Sequence, residues 1–174
     1  MKVYIRAIIL SLLVMGCNIS SNFDLASRGN VVTLEKLLLK NNSNIINSKD
    51  NWGKTMMHYA VCDGNKSILE LLYRYGAELD IPDETGMTPL HVCAMWDRKG
   101  PARWLVEHGA NLQLKDEFGD TALHTSAVFG SINTGKYLLG IGMSLNEKNA
   151  KGLTPIDLAI KYRNHDWLHE VGGK

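Results

Sequence analysis

Residues 83–114 read DETGMTPLHVCAMWDRKGPARWLVEHGANLQL, and the pattern recurs along the chain at a spacing of 33 residues. A shift of that length aligns four glycines and four threonines, which are Gly53, Gly86, Gly119, Gly152, Thr55, Thr88, Thr121 and Thr154. A fixed period of this kind decides the architecture, because each repeat is one structural unit that buries its apolar face against its neighbours.

The repeated pattern resembles the ankyrin repeat, whose units open with DxxGxTPLHxA and close with LLxxGAxxN. The resemblance covers residues 23–171 and implies an all-α ankyrin solenoid of about five stacked helix-turn-helix units joined by β-turn tips. The expected units are residues 23–49, 50–82, 83–115, 116–148 and 149–171. The first unit lacks the GxT turn, as expected of a terminal repeat whose outer face meets water.

Local signals in the units predict their turns and helix ends. Asp50 and its counterparts, spaced by 33 residues, carry short polar side chains that can accept backbone N–H bonds in the turn tip. The threonines can cap the first helix of each unit. The segment 97–101 of the third unit differs in sequence from the corresponding turn between the helices of the second unit. In the fourth unit, Gly135 and Gly140 each lower the stability of the second helix by about 1 kcal/mol relative to alanine. We therefore expect the second helix of the fourth unit to be the softest of the stack.

Three histidines, His58, His91 and His124, occupy one column and invite a metal hypothesis. Adjacent units place them about 10 Å apart, which is too far for them to share an ion. The resemblance implies instead a structural histidine that hydrogen-bonds within and between turns, so no metal site is predicted. The three cysteines, Cys17, Cys62 and Cys93, are too few and too irregularly spaced for a disulfide framework or a zinc site, and the sequence leaves open whether Cys62 and Cys93 are oxidised to a pair.

The chain begins MKVYIRAIILSLLVMGC, in which two basic residues precede a short apolar run. This pattern predicts a signal peptide over residues 1–16, and its apolar run is too short to span a bilayer, which takes about 20 residues. The ending VMGC resembles the lipobox of bacterial lipoproteins, which implies cleavage before Cys17, lipid on its sulfur and a tether over residues 17–22.

The lipobox resemblance implies a membrane attachment through Cys17 in the bacterial cell envelope. Asn18 follows the cysteine where an aspartate would favour inner-membrane retention, so the outer membrane or the periplasmic face is expected. The alternative is an ordinary signal peptide, which would give a soluble secreted or periplasmic protein.

A column of aromatic residues points to the functional surface. Ankyrin proteins mostly bind other proteins through the face formed by turn tips and first helices, and here one column of that face places aromatic rings in three adjacent units. We expect an apolar strip lined by Glu84, Glu117 and Asp120 that binds a partner protein. The candidate partner-binding residues are Trp52, Met87, Met95, Trp96, Phe118, Phe129 and Tyr162. The alternative is that these rings pack on one another across repeats.

Charge and motif content exclude other classes of function. The formal net charge is +1 with scattered basic residues, whereas a nucleic-acid site needs a positive stripe. No nucleophile elbow, phosphate loop or HExxH motif is present, so we expect no catalysis, no cofactor and no small-molecule substrate. The predicted function is protein–protein interaction in the envelope, with two alternatives: an immunity-type inhibitor of a toxin or enzyme, or a structural organiser of envelope proteins.

Overall fold

The computed structural model describes residue 26 and residues 31–40 and 45–173. The predicted signal peptide, Cys17 and the tether lie outside the described residues. Within them the regular structure consists of α-helices without a β-strand. The helices are α1 (Val31–Lys40), α2 (Met56–Asp63), α3 (Lys66–Arg74), α4 (Pro89–Met95), α5 (Lys99–Glu107), α6 (Ala122–Phe129), α7 (Ile132–Gly140), α8 (Pro155–Lys161) and α9 (His165–Glu170).

The helices form two layers, because each of units two to five contributes a first and a second helix. The first helices α2, α4, α6 and α8 pack on one another in chain order, and we call them the inner helices. Among the second, outer helices, α1 packs on α3, α5 on α7, and α7 on α9. This stacked arrangement confirms the predicted all-α solenoid.

The core lies between the two layers. Leu34 and Leu38 of α1 are buried four residues apart, and α3 repeats the pattern with Ile68 and Leu72. This spacing places apolar side chains on one face of a helix, and burial of each contributes about 1.5–3 kcal/mol. At the end of the stack the fully buried ring of Trp167 closes the core.

A side chain at the start of each turn tip holds the tip in shape. Oδ1 of Asp50 accepts hydrogen bonds from the backbone N–H groups of Trp52, at 2.9 Å, and Lys54, at 2.8 Å. The counterparts of Asp50 accept the same pair of bonds in the next three units; they are Asp83, Asp116 and Asn149. The predicted role of this column is confirmed.

Backbone bonds join successive tips into a continuous ribbon. The N–H of Glu84 donates to the carbonyl oxygen of Trp52 at 3.0 Å, and Ala150 donates in the same way to Phe118 at 3.1 Å. Glycine is required at position 119, because a Cβ there would lie 2.6 Å from the backbone nitrogen of Ala150 in the next tip. Successive tips therefore have a fixed position relative to one another.

The turn between the helices of the third unit keeps the backbone shape of the others despite its different sequence. Asp97 has a left-handed φ of 54°, close to the 79° of Gly64 and the 56° of Arg163 in the same column. Its carboxylate accepts bonds from the backbone N–H of Thr134 and from the Asn133 amide, both at 2.8 Å. Asp97 thus caps α7 of the next unit.

Gly135 in α7 has a packing role that helix propensity alone does not reveal. A Cβ at this position would lie 2.7 Å from Nε1 of Trp167 and 3.1 Å from Oγ of Ser126. The indole N–H of Trp167 donates to that Oγ at 3.2 Å. The glycine therefore makes room for the tryptophan that closes the stack.

Candidate functional site

A groove of about 250 Å³ lies between the turn tips and the inner helices of units three to five. Its apolar lining comes from all three units and consists of Met87, Met95, Phe118, Val128, Phe129, Leu153, Leu158 and Tyr162. The ring of Phe118 stands at a tip and is 50% exposed. The groove is therefore an open apolar surface with an accessible aromatic ring at its edge.

The groove follows from the 33-residue period, since its lining repeats the same columns in units four and five. Phe118 is matched by Lys151 in the tips, and Phe129 by Tyr162 at the ends of the inner helices. Unit two places Tyr59 where unit four has the smaller Thr125. The hydroxyl of Tyr59 donates to the Asp50 carboxylate at 2.5 Å, so its ring bridges helix and tip in unit two.

The charged side chains of the groove differ in how they are held. Oδ1 of Asp116 accepts from two backbone N–H groups at 2.9 Å, and burial raises the pKa of this carboxyl. Oδ1 of Asp120 accepts from the amide of Asn149 at 2.6 Å. Lys151 and Lys161 are exposed and lie over aromatic rings, with Nζ 5.8 Å from the centroid of Phe118 and 5.7 Å from that of Tyr162 respectively.

The structure brings five of the seven candidate partner-binding residues together in this groove. They are Met87, Met95, Phe118, Phe129 and Tyr162. Trp52 stands 37% exposed at the tip of the second unit, outside the groove lining. Trp96 packs partly against the core, and its buried Nε1 meets no acceptor within the described residues.

The acidic margin expected from the sequence is only partly present. Glu84 and Glu117 are exposed at the tips, but Asp120 is 9% exposed and is hydrogen-bonded to Asn149. The sequence pattern did not assign a role to Lys151 or Lys161. The sequence did carry a signal for these two lysines, because they lie 33 residues after Phe118 and Val128 and therefore occupy the same repeat positions as two apolar residues.

The histidine column is structural and does not contribute to the groove. Nδ1 of His58 accepts from the backbone N–H of Thr55 at 3.1 Å, so its proton lies on Nε2, which donates to the carbonyl oxygen of Met87 at 3.0 Å. Burial lowers the pKa of His58 to about 4 and also lowers the pKa of His91 and His124. All three are therefore neutral at pH 7.

Outside the groove, an aromatic cluster joins the outer helices of units two and three. The ring of Trp104 stacks on His108 with centroids 4.0 Å apart, and Tyr73 meets both rings edge to face. Tyr73 is 44% exposed. The cluster lies on the outer layer, so it offers a comparison surface for tests of the groove.

Cys93 is fully buried, and burial raises the pKa of its thiol well above the usual value. It thus fills its position as a small apolar group, while Cys62 at the end of α2 is half-buried. No disulfide joins the two residues.

Metal-binding clusters and membrane-spanning helices are both absent from residues 26, 31–40 and 45–173. Among these residues, no three His, Cys, Asp or Glu side chains come together in an arrangement that could hold a metal ion. None of the helices there has the length and apolar character needed to cross a bilayer.

A family model described as ankyrin repeats (3 copies) matches residues 23–116 and 102–170. Together these two matches include all of the helices described above. No curated protein matches the chain.

Proposed function

This chain belongs to the ankyrin repeat family, and from that premise we propose that it captures one partner protein in the groove of units three to five. Ankyrin repeats generally mediate protein–protein interaction and are typically non-enzymatic. The observation that carries the proposal is the convergence of apolar side chains from three successive repeats on one open groove. Open apolar grooves with exposed aromatic rings are favoured sites of partner binding.

The groove suits binding by a preformed surface. The tips that form one of its walls are fixed by their Asp116 and Asn149 hydrogen bonds and by the N–H of Ala150. A surface that is ordered before binding loses little conformational entropy when the partner docks. Catalysis has no part in this function, which consists of holding the partner.

We also place the module in the bacterial cell envelope, with lipid on Cys17 as its anchor. Support comes from the basic and apolar start of the chain and from the VMGC pattern before residue 18. An intact-mass spectrum of the protein purified from bacterial membranes tests this location. A mass that begins at a lipidated Cys17 supports it, and a mass that retains Met1 contradicts it.

Site-specific photo-crosslinking in whole cells tests the binding function. A photoreactive residue is placed at Phe118 in the groove and, as the matched control, at Tyr73 on the outer layer, where exposure is similar at 44% against 50%. We expect a protein adduct from position 118 and none from position 73. Adducts of equal yield from both positions would contradict a binding site in the groove.

A further inference from the structure

We propose that the partner segment that enters the groove is acidic, with an apolar side chain flanked by two carboxylates that pair with Lys151 and Lys161. This inference rests on the proposed function, since it names the chemistry of the partner that the same groove binds. It commits to a peptide segment of another protein as the occupant.

The two lysines are the charges of the groove that remain available to a partner. Both are exposed, and each ammonium group lies over an aromatic ring of the groove. In the part of the chain that the structure describes, no carboxylate forms an ion pair with either lysine. A docked carboxylate would therefore gain an ion pair without breaking one.

The acidic residues of the groove are engaged within the protein. Asp116 uses Oδ1 to hold the tip through the N–H groups of Phe118 and Asp120. Asp120 is almost fully buried and accepts from Asn149. Asp116 and Asp120 are the carboxylates that line the groove, and both are held by internal hydrogen bonds, while Glu84 and Glu117 lie at the tips outside the lining. The exposed charged side chains of the lining are therefore Lys151 and Lys161, and the complementary groups of a partner at these two points are negative.

The positions of the lysines set the spacing of the partner's carboxylates. Lys151 lies in the tip before α8, and Lys161 is the last residue of that helix, which has seven residues. A helix of that length extends about 10 Å. An extended segment covers about 10 Å in three residues, and Lys151 lies four residues before the helix begins, so we expect carboxylates at least about three residues apart, with an apolar residue between them in the groove.

Peptide selection tests the inference even though the partner is unidentified. A phage library of random twelve-residue peptides is selected on the immobilised full chain, and enriched peptides are measured by fluorescence anisotropy at two salt concentrations. We expect enriched peptides to carry acidic residues around an apolar one. Their binding should weaken about tenfold at high salt, since the ion pairs lie at the exposed edge of the groove.

Charge-reversal variants identify the contact. The double variant Lys151→Glu, Lys161→Glu should bind the selected peptides at least about tenfold more weakly, which corresponds to about 1.4 kcal/mol. The matched control is Lys148→Glu, an exposed lysine at the end of the fourth unit that does not line the groove. Its affinity should stay within about twofold, because it lies outside the contact.

The outcomes separate this inference from the proposed function. If Phe118→Ala abolishes binding while the double lysine variant binds normally, the groove is the site but its partner is not acidic. If neither change affects binding, or if no peptide is enriched, the proposed function fails as well. Concentration-dependent self-association lost in Phe118→Ala would identify a second copy of this chain as the occupant and would overturn the inference. Lysine-dependent binding to phosphatidylserine vesicles, with no enriched acidic peptide, would also overturn it.

Discussion

The Nε2 atom of His58 lies 3.0 Å from the carbonyl oxygen of Met87, which belongs to the next repeat. His91 and His124 make the corresponding bonds to the units that follow them. In the last unit the column holds Asp157, whose carboxylate accepts from Thr154 within its own unit. The histidine is therefore a link between repeats, and in the fifth unit an aspartate that bonds within its own repeat takes its place.

This link predicts a loss of stability in mild acid. The pKa of His58 is about 4 in the folded protein and about 6.5 in the unfolded chain, so the unfolded state binds the proton first as pH falls. Stability is fully present above pH 6.5 and is lost as pH falls towards 4. Between pH 7 and pH 5 we expect the free energy of unfolding to drop by about 2 kcal/mol from His58 alone, as measured by urea denaturation. His58→Gln should reduce this pH dependence, and an unchanged dependence would contradict the assignment.

Two tip glycines should respond differently to the same substitution. Gly119 and Gly152 have nearly equal positive φ values, 74° and 73°, but a Cβ meets the next tip only at Gly119. Gly152→Ala should cost about 1 kcal/mol for the left-handed backbone alone, and Gly119→Ala should cost at least about twice as much. Equal changes in the urea midpoint of the two variants would show that the contact with the next tip adds nothing to the cost of Gly119→Ala.

The two glycines of α7 form a second matched pair. Gly140→Ala places its methyl group in open space and should stabilise the protein by up to about 1 kcal/mol. Gly135→Ala forces the new Cβ against the indole of Trp167 and should destabilise it by about 1–3 kcal/mol. Thermal unfolding of both variants measures the difference. A stabilising Gly135→Ala would contradict the packing role.

Asp97 combines a left-handed backbone with a cap on the next unit. Asp97→Ala should lose about 1 kcal/mol with the cap and about 1 kcal/mol more for the backbone conformation. Asp97→Gly should lose only the first contribution, because glycine adopts this conformation readily. Hydrogen exchange at the Thr134 amide should accelerate in both variants. Equal stability of the two variants would show that the left-handed backbone at position 97 carries no cost for alanine.

The features that the sequence predicted are those governed by local chemistry or by the repeat period. The aspartate turn at Asp50 acts over four residues, and the threonine and histidine pair acts over three. Such short-range bonds depend on the residues of one unit. For that reason the order of helices, the tips and the structural histidines could all be predicted from the pattern.

The features that the sequence did not predict depend on side chains from different units. The role of Gly135 depends on its contact with Trp167, 32 positions further on. Thr125 lines the groove, whereas its counterpart Tyr59 in unit two donates to Asp50 and does not line it. The column of aromatic residues gave Trp96 and Phe129 the same expected role, yet only Phe129 lines the groove.

The affinity of the crosslinked partner for the variant Phe118→Ala, Tyr162→Ala tests the central claim most directly. Tyr73→Ala serves as the control from the outer layer. We predict that the groove variant loses at least about a hundredfold in affinity, as expected when aromatic anchors are removed, while its melting temperature changes by only a few degrees and the control binds normally. Unchanged affinity in the groove variant, or an equal loss in the control, would contradict a partner site in the groove.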